Sequence, residues 1–98
     1  MVQFFRATNF EWDHANSAKN LNKHNVGDQE CEEVFFDPFK KIFRDELHSA
    51  DESRFILIGK TKKGRLLFVV FTFRKRQVRV ISARDLNRKE YPLYQTTV

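Results

Sequence analysis

The chain has 98 residues, of which 41% are hydrophobic, and a formal net charge of +5 at pH 7. This length suits a modest core of two packed layers and excludes a second domain, so we expect residues 1–98 to form a single domain. The charge is divided unevenly: residues 1–53 contain six Lys/Arg and eleven Asp/Glu, whereas residues 54–98 contain twelve and two. The basic half predicts binding to a polyanion, with RNA or DNA as the first candidate and an acidic protein as the second.

Composition also limits the compartment and the chemistry. The single cysteine, Cys31, excludes an intramolecular disulfide and fits a reducing compartment. No apolar segment approaches the roughly 20 residues that span a bilayer, and the N-terminus lacks the apolar stretch of a signal peptide. The three histidines and the cysteine show no metal-ligand spacing. We therefore expect a soluble, cytoplasmic protein with no membrane contact, no metal and no cofactor.

The N-terminal part predicts a weak strand followed by a helix. Phe4 to Phe10 is the strand candidate. Asp13 is a good N-cap for a helix from about His14 to His24, and Asn25 suits a left-handed helix end. Three residues at helical spacing predict the buried stripe of this helix: they are Ala15, Ala18 and Leu21.

A second short helix is predicted from Asp28 to about Phe36. Its first turn is acidic, which suits the positive end of the helix dipole. Asp37-Pro38 ends it, because the residue before a proline is pushed out of the helical region. The residues expected to face inward are Cys31, Val34 and Phe35. We expect Cys31 to be a small apolar residue and not a reactive thiol, because its neighbours are acidic.

After Pro38 the hydrophobic pattern changes from a helical period to alternation or continuous apolar runs. It predicts four strands, which are Lys40–Arg44, Arg54–Lys60, Arg65–Arg74 and Gln77–Ala83. The short polar turns Lys62-Lys63-Gly64 and Arg74-Lys75-Arg76 predict that successive strands are antiparallel. The segment from Asp85 to Tyr94 is expected to be a short helix or an arm, and Pro92 argues against a long helix there.

Arginines in the predicted strands are the first candidates for chemistry. RNA can be cut without a metal if a protein orients the 2′-hydroxyl, moves two protons and stabilises extra charge on the phosphorane-like transition state. Arginine suits the last task, and His, Lys or a carboxylate suits the others. The strand positions limit the movement of four arginine side chains, those of Arg54, Arg65, Arg79 and Arg84.

Arg79 is the most informative of these arginines. It lies between Val78 and Val80, so in a regular strand it points away from both valines. Arg84 would face the other way from Arg79, unless the strand ends or bulges near Ser82. A solvated arginine on an exposed sheet face explains Arg79 equally well from the sequence alone.

Other polar residues have a structural explanation beside the functional one. Lys23-His24 closes the first predicted helix, where cations are favoured by the dipole, so capping is the simpler explanation. His48 precedes Asp51, Glu52 and Arg54 on a predicted loop, and a polar surface loop is the safer interpretation. Trp12 is expected to be in the core or to cover it, although an exposed tryptophan beside a basic sheet could stack on a base.

Several segments, in this order, resemble the BrnT family of toxins from bacterial type II toxin–antitoxin systems. Each segment alone is weak, but together they cover roughly residues 10 to 94. The matching segments are Phe10-Glu11-Trp12-Asp13, Asn20, Lys23-His24-Asn25-Val26, Val34-Phe35-Phe36-Asp37-Pro38, His48, Glu52-Ser53-Arg54, Ile58-Gly59, Gly64-Arg65-Leu66-Leu67, Arg79-Val80-Ile81-Ser82-Ala83-Arg84, Arg88 and Glu90.

The resemblance implies an α+β, RelE-like fold, with two N-terminal helices on one face of a twisted antiparallel sheet and a basic cleft on the other. It implies a metal-independent endoribonuclease that cleaves RNA, free or on the ribosome, and arrests growth and translation. It also implies a BrnA-like antitoxin that neutralises the toxin in a hetero-oligomeric complex and supplies the contact with operator DNA.

The resemblance also implies site residues by position. The catalytic candidates carried over are His24, Glu52, Arg79 and Arg84, and the RNA-binding candidates carried over are Lys23 and Arg54. Two further RNA-binding candidates come from the residues themselves, Arg65 from its strand position and Trp12 as a ring that could stack on a base. We expect Arg79 and Arg84 to stabilise phosphate charge, while His24 or Glu52 moves a proton.

Three positions depart from the family pattern. Asn16 replaces a lysine, Asn25 replaces a glycine, and Asp28 replaces an aromatic residue. Asn25 is conservative for a left-handed conformation, whereas Asn16 removes a cation and Asp28 should alter how the second helix docks. Two other functions therefore stay open, a non-catalytic nucleic-acid-binding module and an inactive toxin homologue that mainly binds an acidic partner.

Overall fold

A five-stranded mixed sheet is the centre of the computed structural model, which describes residues 9–45 and 53–95. Its spatial order is β1-β5-β4-β3-β2. The strands are β1 (Phe10–Glu11), β2 (Lys41–Arg44), β3 (Arg54–Lys60), β4 (Leu66–Arg74) and β5 (Gln77–Asp85). The bounds of β2 to β5 agree with the predicted strands within two residues.

The pairing of β2 to β5 is antiparallel, as predicted. The expectation of a wholly antiparallel sheet is wrong, because β1 pairs in parallel with β5. This edge strand belongs to the N-terminal segment and joins β5 without a hairpin, so no turn motif signals it. Of the predicted strand Phe4 to Phe10, the residues before Asn9 lie outside the described part of the chain.

Both predicted hairpin turns form. Gly64 has φ 91°, and the Gly64 N–H donates to the Thr61 carbonyl in the turn between β3 and β4. Lys75 and Arg76 have φ 52° and 65° between β4 and β5. Two left-handed central residues are the mark of a type I′ turn, which matches the twist of the flanking strands.

Helix α1 (His14–His24) has the predicted bounds and caps. Asp13 Oδ1 accepts hydrogen bonds from the backbone N–H groups of Ala15 and Asn16, at 2.8 and 3.2 Å. Asn25 follows the helix in the left-handed conformation, with φ 55°. The helix ends were therefore predictable from local sequence.

The predicted apolar stripe of α1 is wrong. Ala15 and Ala18 are exposed, and Leu21 is 54% exposed. The helix instead meets β5 through asparagines, with Asn16 Nδ2 donating to the Val80 carbonyl at 3.4 Å. Asn20 is buried, and its Oδ1 accepts from the Ala83 N–H at 3.1 Å.

These asparagine contacts protect an edge. β1 pairs with β5 only at Val78 and Arg79, so among the described residues the backbone of β5 beyond that point has no strand partner on this side. The asparagine amides supply partners for the Val80 carbonyl and the Ala83 N–H. Polar side chains therefore replace a strand where an edge would otherwise be open.

Helix α2 (Asp28–Val34) packs on one face of the sheet. Cys31 and Val34 are buried, as predicted. The helix comes so close to β3 that a Cβ at Gly59 would lie 2.9 Å from the Val34 carbonyl oxygen. Burial, reinforced by neighbouring acids, raises the pKa of the Cys31 thiol to about 12, so the cysteine is an inert core residue.

The core lies between α2, with the flanking Val26 and Phe35, and the face of the sheet that α2 covers, which we call the helix face. Its fully buried side chains include residues of three neighbouring strands. They are Leu57 on β3, Leu67, Val69 and Phe71 on β4, and Val78, Val80 and Ala83 on β5. Phe35 packs edge-on against Phe71, with ring centroids 4.9 Å apart.

The C-terminal segment forms a 3₁₀ turn at Arg88–Glu90 and helix α3 (Tyr91–Gln95). The Tyr94 hydroxyl donates to Asp37 Oδ2 at 2.7 Å, and the same oxygen accepts from the Lys60 N–H at 2.7 Å. Burial and Asp37 raise the pKa of Tyr94 to about 12. Asp37 therefore joins α3 to the end of β3.

Candidate functional site

A β-bulge brings the two arginines of β5 to one face of the sheet. Arg79 pairs with Thr72, but the register shifts between Val70 and Phe71, so that Ser82 pairs with Val70 and Arg84 with Phe68. One residue of β5, Ile81, is therefore extra. Facing residues share a face, so Arg79, Ser82 and Arg84 all lie opposite the helix face. Of the alternatives that the sequence left open for Arg84, the structure shows the bulge near Ser82.

A row of three residues crosses the sheet at one end of this surface. Arg54 on β3 pairs with Thr72 on β4, and Thr72 pairs with Arg79 on β5. Adjacent strands are about 4.8 Å apart, so the backbones that carry the two arginines are separated by roughly 10 Å. We call the surface with Arg54, Arg79, Ser82 and Arg84 the arginine face.

An apolar floor separates the two ends of the arginine face. Val70 pairs with Ile56, and Phe68 pairs with Ile58, so their side chains share this face. Ile56, Phe68 and Val70 are half-buried. The floor offers aliphatic and aromatic surface between charged groups, the arrangement that accepts a nucleotide base beside its phosphates.

Arg79 keeps most of its hydrogen-bonding capacity. Its Nη2 donates to Asp13 Oδ2 at 3.1 Å, the one bond that its guanidinium makes within residues 9–45 and 53–95. A guanidinium has five N–H groups. The Arg79 side chain is 29% exposed, so its other N–H groups can reach an anion from solvent.

Asp13 fixes the position of Arg79. One carboxylate oxygen caps α1, and the other accepts from Arg79. The backbone hydrogen bonds from Asn16 and Ala15, followed by the bond from Arg79, lower the pKa of Asp13. The carboxylate is therefore charged at neutral pH and is a better anchor than a proton acceptor.

Arg84 is more strongly engaged than Arg79. Its Nη1 and Nη2 donate to the two oxygens of Glu90, each at 2.8 Å. Its Cζ atom lies 3.9 Å from the centroid of the Phe68 ring, a cation–π distance. The bond from Arg84 lowers the pKa of Glu90. An RNA phosphate at Arg84 would have to compete with Glu90 or use the remaining N–H groups.

Arg65 lies apart from the arginine face and has no N–H left. Its Nε and Nη2 donate to Asp85, at 2.6 and 3.2 Å. The other three N–H groups donate to the Asn25 carbonyl, the Glu30 carboxylate and the His24 carbonyl. Arg65 thus joins the end of α1, α2 and β5, and its RNA-binding role stays a prediction.

The other candidates do not gather around Arg79. Trp12 packs against the core, and its indole N–H donates to Glu32 Oε2 at 2.7 Å. Lys23 and His24 are exposed in the last turn of α1, where His24 is close enough to lower the pKa of Asp85 slightly, after the larger effect of Arg65. The predicted catalytic Glu52, like His48, lies outside the described residues.

Sequence reasoning missed the partners of the arginines. Asp13 was predicted as a helix cap and Glu90 only as part of a motif, whereas each carboxylate also bonds an arginine of β5. Their separations from the arginines, 66 and 6 residues, follow no local rule. The continuous apolar run from Leu66 to Phe71 in β4, which places apolar side chains on both faces of the sheet, could have indicated the apolar floor.

The described part of the chain has neither a candidate metal-ion site nor a helix that could span a membrane. Residues 9–45 and 53–95 contain no group of three or more His, Cys, Asp or Glu side chains placed to hold a metal ion. No described helix is long and apolar enough to cross a bilayer.

The fold and the family follow from comparison with known proteins. The structure is similar to the crystal structure of the Brucella abortus ribonuclease toxin BrnT, with a TM-score of 0.62 and 20% sequence identity over 82% of this chain and 97% of that chain. This likeness establishes a shared α+β fold.

The sequence gives the family itself. Residues 12–90 match the family described as the ribonuclease toxin BrnT of type II toxin–antitoxin systems. The chain therefore belongs to the BrnT family, and the resemblance found in the sequence is confirmed. A search of curated proteins finds no match.

Proposed function

We propose that this chain is the toxin of a type II toxin–antitoxin pair, and that residues 1–98 form one RelE-like domain that acts as a metal-independent endoribonuclease. Membership of a ribonuclease toxin family supports this proposal. The observation that carries it is the bulge in β5, because it aligns Arg79 and Arg84 on the face that also holds Arg54.

In this proposal Arg79 binds the scissile phosphate. Its unused N–H groups donate to the non-bridging oxygens and stabilise the charge that develops when the 2′-hydroxyl attacks. Asp13 holds the guanidinium in place, so little reorganisation is needed in the transition state. Arg54, one strand beyond Thr72, suits a neighbouring phosphate, and the apolar floor suits a base.

The proton-transfer groups are proposed from the family resemblance. The described sheet residues of the arginine face include no histidine, and their one carboxylate is Glu11 on β1, which pairs with Arg79. We assign the proton-transfer role to His24 or Glu52, contacts with the RNA backbone to Lys23, and a further RNA contact to Trp12. Arg65 contributes to RNA binding through its positive charge alone, because its five N–H groups all donate within the fold. Arg84 contributes to phosphate binding when one of its N–H groups is released from the hydrogen bond with Glu90.

The proposed partners follow from the family. RNA is the substrate, and the complex with a BrnA-like antitoxin is the neutralised form. Operator DNA is reached through the antitoxin, and the ribosome presents the RNA if naked RNA is a poor substrate. The proposed compartment is the cytoplasm, where cleavage of RNA arrests translation and growth.

The test is RNA cleavage by the purified protein in EDTA, on naked RNA and on translating ribosomes. We expect wild type to cut at least one substrate and Arg79→Ala to cut it about 10²–10³-fold more slowly. Lys63→Ala is the matched control, since it removes one positive charge from the exposed turn between β3 and β4. Equal cleavage by wild type and a folded Arg79→Ala variant would contradict the role of Arg79.

A non-catalytic binding module is the second candidate. It is favoured by the lack of a histidine among the described sheet residues of the arginine face, where Glu11 is the one carboxylate. Such a module would bind RNA with a steep salt dependence, and each lost phosphate contact would lower the log–log slope by about one. Binding without new RNA ends on either substrate would favour this function.

A further inference from the structure

The helix side of the sheet carries a second surface with the opposite charge. One face of α2 presents Gln29, Glu32, Glu33 and, just beyond the helix, Phe36. These residues line a groove of about 600 Å³, whose far wall includes Lys60 and Lys62. We call these α2 residues, with the adjoining Pro38 and Phe39, the α2 surface.

Two aromatic rings of the α2 surface are exposed to solvent. Phe36 is 67% exposed and Phe39 is 69% exposed. The turn that carries them is fixed, because Asp37 Oδ1 accepts from the Phe39 N–H at 2.9 Å and Asp37 Oδ2 accepts from the Lys60 N–H. Adjacent exposed rings on a fixed turn favour contact with another apolar surface.

The charge of α2 disfavours RNA as the ligand of the α2 surface. Residues 28–37 contain five acids and no Lys or Arg. Three of these acids, Asp28, Glu30 and Asp37, bond within the fold. Glu32 and Glu33 also make hydrogen bonds but are half-exposed at the groove. A polyanion is repelled here, whereas a cationic protein segment is attracted.

We propose that the α2 surface is the anchor site for the antitoxin, through a segment that combines Lys or Arg residues with a large apolar side chain. This inference rests on the proposed function, which requires such a partner. The apolar side chain packs on Phe36 and Phe39, and the cations face Glu32 and Glu33. Lys60 and Lys62, across the groove, can donate hydrogen bonds to a polar or acidic group of the same segment.

A second copy of this chain is a poorer fit to the α2 surface. Its cationic surface is the arginine face, so a contact between copies would be head-to-tail and would leave one of each surface free at every step. Such contacts extend into open chains unless the rotation closes a ring. A separate antitoxin segment saturates the α2 surface without this consequence.

In this proposal the antitoxin binds the toxin at one surface and inhibits it at another. α2 packs on the helix face, whereas Arg54, Arg79 and Arg84 lie on the opposite side of the sheet. A segment seated on α2 therefore leaves the arginine face uncovered. Neutralisation then requires a second part of the antitoxin to reach that face.

The experiment measures binding to the product of the gene next to this one, co-purified with the full chain. Phe36→Ser combined with Phe39→Ser should weaken binding roughly 30-fold or more. Gln29→Lys, which places a cation in the groove, should weaken it about 10-fold, and more at low salt. Both variants should cut RNA at the wild-type rate, because their residues are on the helix side. Ala18→Ser, on the exposed side of α1, is the control and should bind the partner within about threefold of wild type. Arg79→Ala, in the blocking contact, should weaken partner binding less than the α2 variants do.

The outcomes separate the anchor site from the proposed function. Loss of partner binding in Arg79→Ala but not in the α2 variants would overturn the anchor site and place the antitoxin on the arginine face. Self-association of the toxin alone that Phe36→Ser abolishes would make a second copy the occupant. A wild type that cuts RNA but binds no neighbouring product would remove the partner and leave the ribonuclease intact. A wild type that binds the partner through α2 but cuts no RNA would support the anchor site and contradict the ribonuclease activity.

Discussion

The arginines on the two sides of this sheet differ in how much of their hydrogen-bonding capacity the fold uses. On the helix side, Arg65 donates all five N–H groups to Asp85, Glu30 and two backbone carbonyls. On the arginine face, Arg79 has one bond among the described residues, to Asp13. A strand position alone therefore does not show whether an arginine serves the fold or a ligand. The number of N–H groups left unused does.

The largest predicted loss of stability is that of Arg65→Ala. Removing the guanidinium leaves two carboxylates and two helix-end carbonyls without their donor. Because hydrogen bonds to charged groups are stronger than neutral ones, we expect a loss of about 3 kcal/mol in the free energy of unfolding. Urea unfolding at pH 7 measures it.

Two further variants compare Arg65 on the helix side with Arg79 on the arginine face. Arg65→Lys keeps the charge but not the planar set of donors, so it should recover less than half of the loss. Arg79→Ala should change the unfolding free energy by less than about 1 kcal/mol, because it removes a single, partly exposed ion pair. If Arg65→Ala unfolds at the same urea concentration as wild type, the structural role of Arg65 is wrong.

A smaller loss of stability is expected where α1 covers the edge of β5. Asn20→Ala leaves the Ala83 N–H without its acceptor, which costs about 1–3 kcal/mol when the group is buried. Asn20 Nδ2 is itself buried without a hydrogen-bond partner among the described residues, so its removal offsets part of this cost. The expected net loss is about 1–2 kcal/mol by urea unfolding.

The same variant tests whether the edge supports the arginine face. The contacts of Asn16 and Asn20 lie on either side of the bulge at Ile81. Asn20→Ala should therefore also slow RNA cleavage, whereas Ala18→Ser, on the exposed side of α1, should change neither property. Full cleavage activity in a destabilised Asn20→Ala protein would mean that the asparagine contacts at the edge of β5 support the stability of the fold but not RNA cleavage.

The helix and strand bounds were predictable because their signals are local. Asp13 and Asn25 mark the ends of α1 through their own backbone preferences, and alternation marks β5. The buried side of α1 was not predictable, because asparagines face the core only when an unpaired strand edge is beside them. The site was predictable only in part, since the sequence indicated Arg79 but not that Asp13 would hold it.

Asp13 allows the cap and the ion pair to be tested separately. Asn caps a helix as well as Asp does, so Asp13→Asn should leave stability within about 0.5 kcal/mol of wild type, whereas Asp13→Ala should lose about 1 kcal/mol. Both variants remove the charge that holds Arg79. We expect each to slow RNA cleavage about 10-fold, since misplacing a charge-stabilising group raises the barrier.

A double-mutant cycle shows whether Asp13 acts through Arg79. In the Arg79→Ala background, Asp13→Asn should have no further effect on cleavage, because the group that it positions is already absent. Additive effects of the two substitutions would mean that Asp13 contributes independently of Arg79. Unchanged cleavage in the single variant Asp13→Asn would mean that Arg79 needs no anchor.

The smallest expected effect is a pH dependence that appears on the helix side. The bond from Arg65 lowers the pKa of Asp85 in the folded protein relative to its unfolded value of about 3.9. The folded state thus holds this proton less tightly than the unfolded state, so the pair stabilises the fold above about pH 4 and loses that effect as the pH falls further. The difference in unfolding free energy between wild type and Arg65→Ala should therefore shrink between about pH 5 and pH 3. Lys63→Ala, which breaks no ion pair of the described residues, should show no such change, and a difference that stays constant with pH would mean that Arg65 acts through the backbone carbonyls alone.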